Sequence, residues 1–574
     1  MVDLVIRNGR VFDGTGEPPV MADVAVTNGI ITAVGTVPDT GVEEIDATGH
    51  IVTPGFVDVH THFDGQATWE SEMAPSSWHG ITTAVMGNCG VGFAPVRTKD
   101  HDALVRLMEG VEDIPGAALH EGLAWDWETF LEYIEALERV PHDIDLATQV
   151  PHGALRVYVM GERGANREAA TADEISQMAR ITAEAVEAGA LGFATTRTLV
   201  HRTSTGDLTP TIGAADEEMI AIAKAIGETG KGILQVVSDF KDIDHEFSLM
   251  RAMVRESNCP MTVSIVQADF VPGRWQELLD RCQAALDDGL NIRGQVCGRP
   301  VCTLLSLNGS LHPFLTHPSY LPIADKPLAE RVAIMRDPAF RKKLLSEECM
   351  KGLTLLEYMC TAYHKMFKLG DPPNYEPTRE QSLAAIAERQ GQDPAEMLYD
   401  WLLEKDGEEL LLFPLHNYTE FSLDNCRTMM THPATIMGLA DGGAHVGTIC
   451  DGSMPTTILE YWTRDRTRGE RLDLSWSIKE LSRTPAEAMG LYDRGLVKVG
   501  YKADLNVIDY DNLKIRVPEM YFDLPTGARR LKQKADGYKV TICNGKVIYR
   551  DGEATGVLPG QIIRGPKAAP VAAA

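Results

Sequence analysis

The chain has 574 residues, 44% hydrophobic and 24% charged, an ordinary globular composition that excludes a fibrous or disordered chain. Lys and Arg number 54 against 82 Asp and Glu, a net charge of −28, and so acidic a surface excludes nucleic acid and anionic membrane as partners. Ten cysteines without a CxxC pair make no disulfide framework, no apolar run is long enough to span a membrane, and the start lacks a signal-peptide pattern, so the expected setting is a reducing cytoplasm. The expected partner is a small-molecule substrate, with self-association into a homo-oligomer left open.

In chain order, residues 4–7, 23–27 and 30–35 alternate apolar and polar positions as half-buried strands. Asn8-Gly9 and Asn28-Gly29 read as two-residue hairpin turns between them. Apolar runs follow at 51–59, 81–86, 190–195, 232–238, 261–267, 290–296 and 434–440, separated by amphipathic stretches such as 171–189, 214–229 and 274–289. Thr171-Ala172-Asp173-Glu174 has the form of a capping box. Strands alternating with helices predict an α/β fold, a (β/α)8 TIM-like barrel over 56–494 whose chemistry sits at the C-terminal ends of its strands. From 300 to 408 the alternation breaks. There Leu311-His312-Pro313-Phe314, the charged stretch Arg331 to Arg341 and a helical 378–404 read as a lid-like or substrate-binding insertion. Residues 503–508 and 540–548 repeat the grammar of the start, so 1–55 and 495–565 are expected to join as one small β-sandwich. The Ala/Pro-rich end, 566–574, reads as a disordered tail.

Three strand ends carry chemistry. Val57-Asp58-Val59-His60-Thr61-His62 places two histidines at i and i+2, on one face of a strand, where both imidazoles can reach one cation. The next run delivers Gly87-Asn88-Cys89-Gly90, a cysteine between glycines whose thiolate is a strong zinc ligand, unless it is a packed loop residue. The last run stops at Asp441-Gly442-Gly443-Ala444-His445, a carboxylate suited to binding a metal or moving a proton. Its structural alternative is a helix cap or turn.

These motifs, PGFVDVHTH, MGNCGVGFAP and the late aspartate, together with VPHGALR from Val150 and EAGALGFAT from Glu187, resemble the amidohydrolase superfamily in its N-acyl-D-amino-acid deacylase (D-aminoacylase) branch. The likeness covers roughly 1–300 and 405–565. It implies a barrel with a small β-sandwich and a zinc that activates water against an acyl amide. Matching by position, it implies His60, His62 and Cys89 as ligands and Asp441 as a metal-site residue and the acid/base. The chain departs from the branch twice. The strands ending near Gln235 and Gln267 lack the branch's histidines, and no arginine follows Asp441 closely to hold a substrate carboxylate. Three readings stay open: zinc held by His60, His62, Cys89 and Asp441; another residue completing the site, from Gln235, Asp239, Gln267, His201, His416 or His445; or a barrel that only binds its ligand. One zinc per chain is expected, with a second metal or none as alternatives. Arg197, His201, Arg299 and His416 join Gln235, Gln267 and His445 as candidates for substrate binding. The expected activity is metal-dependent hydrolysis of an amide C–N bond in an N-acyl amino acid, with a cyclic amide, imide or lactone as the alternative substrate.

Overall fold

The computed structural model describes residues 2–352 and 354–571 and is mixed α/β. Five strands open the chain: β1 (Val2–Val11), β2 (Val20–Thr27), β3 (Ile30–Gly35), β4 (Gly41–Asp46) and β5 (Ile51–Pro54). Asn28-Gly29 is a two-residue turn with both residues at positive φ, pairing Thr27 with Ile30 as the sequence predicts. Asn8-Gly9 is not a turn. β1 runs through it, and the register against β2 shifts between Ile6 and Gly9, so the left-handed Asn8 marks a bulge.

Eight parallel strands form the central sheet: β6 (Phe56–Asp58), β7 (Ile81–Met86), β8 (Asp145–Pro151), β9 (Gly192–Arg197), β10 (Ile233–Ser238), β11 (Met261–Ser264), β12 (Ile292–Val296) and, after the insertion, β16 (Thr435–Met437). Seven match the apolar runs of the sequence. The eighth, β8, hides its strand character behind Asp145, Thr148 and Gln149, all buried. Parallel strands covered on both faces carry buried residues at every position, as in β7 and β8. The first and last strands meet past their ends: His62 N–H donates to Gly442 O at 2.7 Å, and Asp441 N–H to His60 O at 3.0 Å. This closure of a curled sheet fits a TIM-like barrel. The helix Ala172–Ala188 carries the expected capping box from Thr171 and Glu174.

Between β12 and β16 lie β13 (Val301–Leu305), β14 (Phe367–Lys368) and β15 (Leu411–His416), an antiparallel group. This insertion packs around its own apolar cluster, including Phe314, Tyr320, Met335, Leu398 and Phe413. Its 378–404 stretch forms two helices, Leu383–Gln390 and Pro394–Leu402, broken at the left-handed Gly391.

Near the end come β17 (Leu505–Ile508), β18 (Lys514–Ile515), β19 (Glu519–Leu524), β20 (Ala528–Lys532), β21 (Ala535–Asp536), β22 (Tyr538–Cys543), β23 (Lys546–Arg550) and β24 (Glu553–Ala554). β17 and β22–β24 join the opening strands in one nine-stranded sheet, so both termini build it. β18 pairs with β21, and β19 with β20. A buried ion cluster ties this sheet to the central parallel sheet: the Asp145 carboxylate accepts from Arg494 at 2.8 Å and from Lys502 at 2.7 Å, and from Asn544 Nδ2 at 2.9 Å. Of the tail read as disordered, Lys567 shares backbone hydrogen bonds with Gly490 and Tyr492, while 572–574 lie outside the described residues. Among the described residues no helix is long and apolar enough to cross a membrane.

Candidate metal centre

The site begins where β6 ends. His60 and His62 are both 1% exposed, and their rings lie 5.4 Å apart, centroid to centroid, on one side of the closing strand. After β7 the chain turns sharply at Gly87, Cys89 and Gly90, all left-handed. A side chain at Gly87 would strike Gln149 O, and one at Gly90 the Thr195 backbone, so only glycine lets this turn lie against β8 and β9. Asn88 pins it, donating to Thr61 O and Val85 O and accepting from Gln149 Nε2. The turn thereby brings Cys89 Sγ to 3.3 Å from His60 Nε2. From the other side of the closure, the left-handed Asp441 sets Oδ1 at 3.4 Å from His60 Nε2 and 3.6 Å from His62 Nε2.

His60, His62 and Cys89 each offer one donor atom, and the three lie within 4.8 Å of one another. A tetrahedral zinc with bonds of about 2.0–2.3 Å separates its ligand atoms by roughly 3.3–3.8 Å. The separations of 3.3, 3.4 and 3.6 Å fall in that range, and two imidazoles, a thiol and a carboxylate form a zinc-type donor set. The residues therefore fit a metal ion.

Outer residues fix the ligands. Gln295 of β12 places Oε1 2.7 Å from His60 Nδ1, while its Nε2 donates to Thr262 Oγ1 at 2.9 Å. With Oε1 facing it, Nδ1 carries the proton and Nε2 presents its lone pair to the site. Glu112, buried at the end of the helix His101–Glu112, sets Oε1 3.4 Å from His62 Nδ1 and Oε2 3.6 Å from His445 Nε2. Asp58 accepts from His60 N–H at 3.1 Å, and Asp64 from Gly87 N–H at 3.2 Å.

Burial sets the protonation of this cluster. It pushes the Cys89 thiol up to about 12, partly countered by His62, so without a cation the sulfur keeps its proton. It pulls His60 down to about 4 against the charge of Asp441, leaving a neutral ligand. Burial also opposes the charged form of His62, but Glu112, Asp441 and Cys89 outweigh it and hold that ring well above the usual histidine value. Asp441 is held well below the usual carboxylate range: burial works against it, and His62, His60 and His445 prevail. Burial raises Asp58 and Asp64 to about 7.

The other candidates divide. Gln235 is at the site: its Oε1 accepts from Cys89 N–H at 3.1 Å, and its buried Nε2 has no partner. His445 joins through Glu112. His201 faces the same charges, and burial together with His445, His62 and His60 lowers it to about 3. Gln267 is committed elsewhere, donating to Glu420 and accepting from Asn425. Asp239 accepts from Thr198 Oγ1 and from Leu199 N–H. Arg299, proposed from sequence to hold a carboxylate, is consumed by Asp451 at 2.5 Å and by Cys450 O, with Tyr375 stacked at 4.2 Å. Arg197 donates to Ala214 O at 3.4 Å, and its buried Nε has no partner. His416 lies in β15 among Asp269, Lys365 and Asp239. Gln295 and Glu112 were not among the sequence candidates. A glutamate in register with Leu104 and Met108 on the buried face of its helix is the signal that marks Glu112.

Residues 43–549 match the model of an amidohydrolase family. N-acyl-D-aspartate deacylase of Alcaligenes xylosoxydans xylosoxydans is 27% identical over 98% of this chain and 95% of its own. The crystal structure of D-aminoacylase superposes with a TM-score of 0.65 at 22% identity, covering 98% of this chain and all of that one. N-acyl-D-glutamate deacylase from Bordetella bronchiseptica, complexed with zinc and a phosphonate inhibitor that mimics the tetrahedral intermediate, superposes with a TM-score of 0.64 at 21% identity, covering 98% and 99%.

Proposed function

Because the chain belongs to the amidohydrolase family, we propose that it is a zinc-dependent hydrolase that cleaves the amide C–N bond of an N-acyl amino acid. The observation that carries this reading is the meeting of His60, His62 and Cys89 within 4.8 Å of one another, with an Asp441 oxygen 3.4 Å from His60 and 3.6 Å from His62. A zinc held there supplies Lewis-acid polarisation of the acyl carbonyl and an acidified water. His60 offers Nε2 because Gln295 holds its other nitrogen protonated, and Glu112 faces Nδ1 of His62 at 3.4 Å. Cys89 releases its proton on ligation. Asp441, ionised at neutral pH, takes the proton of the attacking water at a carboxylate oxygen and passes it to the leaving nitrogen. The deacylase relatives support an N-acyl amino acid over a cyclic amide, imide or lactone.

The same reading places the enzyme in a reducing cytoplasm, consistent with cysteines that are all free. It divides the chain into a barrel over 56–494, a β-sandwich of 1–55 with 495–565, and a lid-like insertion over 300–408. The sandwich is supported by β1, where Leu4 and Ile6 pack in one apolar cluster and the intervening Val5 in another.

Metal analysis and a substrate panel test the proposal. About one zinc per chain is expected, lost in Cys89→Ser, with hydrolysis of N-acyl amino acids exceeding that of cyclic amides and lactones. A metal-free protein that stays inert toward the panel with added zinc or manganese overturns it.

A further inference from the structure

A proton passed from Asp441 to the leaving nitrogen requires that nitrogen to come within hydrogen-bond reach of the carboxylate. Asp441 lines a cavity of about 20 Å³, room for one water-sized group such as an amide N–H. The loop that follows Asp441, Gln66 and Pro75 from the loop after β6, and Arg530 of β20 bound it.

The polar side chains of this cavity divide in two. Arg530 is spent on Glu70 at 2.8 Å and Asp523 at 2.7 Å, and Asp451 pairs with Arg299 at 2.5 Å. Asp441 and Gln66 remain. Gln66 is 2% exposed, and its Nε2 donates to Gly443 O at 3.3 Å. A backbone carbonyl only accepts, so the nitrogen end of the amide faces it. Oε1 is left as an acceptor, buried without a partner among the described residues. The donor that completes it comes from outside the chain, as solvent or as substrate.

The local sequence is built around this approach. Gln66 opens a short helical turn, Gln66–Thr68, four residues after His62. A Cβ on the left-handed Gly443 would lie 2.6 Å from Gln66 Oε1, and a side chain on Gly442 would strike Ser76 Oγ. The two glycines after Asp441 thus keep the cavity beside its carboxylate free of side chains.

We propose that Gln66 is a catalytic residue whose Oε1 accepts the N–H of the scissile amide, while Asp441 serves the lone pair of the same nitrogen. This deepens the N-acyl amino acid reading and rests on it. A secondary amide nitrogen carries one hydrogen, and its lone pair is delocalised into the planar amide until water oxygen bonds to the acyl carbon. An acceptor for the N–H then fixes which way the nitrogen turns its lone pair as it becomes pyramidal. The lone pair takes the proton that Asp441 removed from the water, and the C–N bond breaks with its electrons going to nitrogen. The original N–H is retained, so the products are a carboxylic acid and a primary amine.

The test compares N-acetyl-alanine with O-acetyl-lactate, the ester in which oxygen replaces the N–H, in both hands and with the zinc-loaded enzyme. Loss of one neutral hydrogen bond should lower kcat/KM for the amide about 3- to 10-fold in Gln66→Leu, with the ester changed much less and zinc content equal to wild type. Gln66→Met, of similar length and without the acceptor, repeats the comparison should the leucine variant fail to fold. Gln66→Glu, which keeps an acceptor oxygen, should hold the wild-type ratio of amide to ester whatever its overall rate. An equal loss on amide and ester, no loss on either, or a fall explained by lost zinc overturns the proposal. The reading beneath it fails differently. If the wild type hydrolyses neither compound, the deacylase reading falls and takes Gln66 with it. If it hydrolyses the amide and Gln66→Leu keeps the wild-type ratio, the deacylase reading stands and the role of Gln66 falls.

Discussion

Replacing Gln295 by Leu is the sharpest perturbation of the metal centre, because it touches no ligand atom. In the native site Gln295 turns Oε1 to His60 and Nε2 to Thr262, so the oxygen accepts and His60 Nδ1 donates. Leucine removes the acceptor. The Nδ1–H is then buried without a partner, which costs about 1–3 kcal/mol of stability, and the ring can take the other tautomer, whose Nε2–H points at the metal position. Outer-shell losses of this kind weaken metal affinity 10–100-fold, or about 1.4–2.8 kcal/mol. Zinc affinity is measured by competition with a chromophoric chelator, and the stability of the metal-free protein by denaturant unfolding. Gln295→Glu, which keeps an acceptor in the same place, should bind zinc at least as tightly as wild type. Should Gln295→Leu hold zinc within twofold of wild type, the tautomer argument is wrong.

Asp441→Asn should lower turnover about 10²–10⁴-fold if Asp441 carries the proton, measured under saturating zinc; a loss below tenfold would remove it from that role. Arg299→Met should destabilise the fold by about 3–5 kcal/mol by stranding Asp451, seen as a lower unfolding midpoint, while the KM of any folded fraction stays near wild type. Asp145→Asn should cost a similar amount at pH 7. Burial works against the charged form of Asp145, but Lys502 and Arg494 prevail and lower it from 3.8 to about 2. A depressed carboxylate contributes stability that is present above pH 3.8 and lost as pH falls through about 2. The gap between wild type and Asp145→Asn should therefore shrink by about 2 kcal/mol from pH 5 to pH 2 in chemical unfolding. A gap constant across that range would refute the assignment.

The candidate ligands could be read from sequence because each lies within four residues of a strand end, where local pattern decides direction. An i, i+2 pair on a strand shares a face whatever the rest of the chain does, and a cysteine between glycines marks a tight strand exit. Roles that depend on distant partners were not legible. Arg299 follows β12 by three residues and looks free in sequence, but Asp451, 152 residues on, neutralises it. Gln295, four residues earlier and inside the strand, is the one that reaches His60. The Asn8-Gly9 misreading has the same root: the dipeptide permits left-handed backbone, and whether that becomes a turn or a bulge is decided by pairing with β2.

The two missing histidines acquire a physical consequence once the strands are placed. Gln235 still faces the centre, but an amide oxygen already accepting from Cys89 N–H is a poor substitute for an imidazole, and Gln267 is tied to Glu420 and Asn425. Among the described residues, His60, His62 and Cys89 are the one group of three His, Cys or carboxylate residues close enough to share a cation. His201 and His445 approach, yet His201 is bonded to Thr196 and His445 faces Glu112. The donors therefore define a single cation position with Asp441 at its open side. The amide nitrogen of Gln235 is buried without a hydrogen-bond partner, while its oxygen accepts from Cys89 N–H.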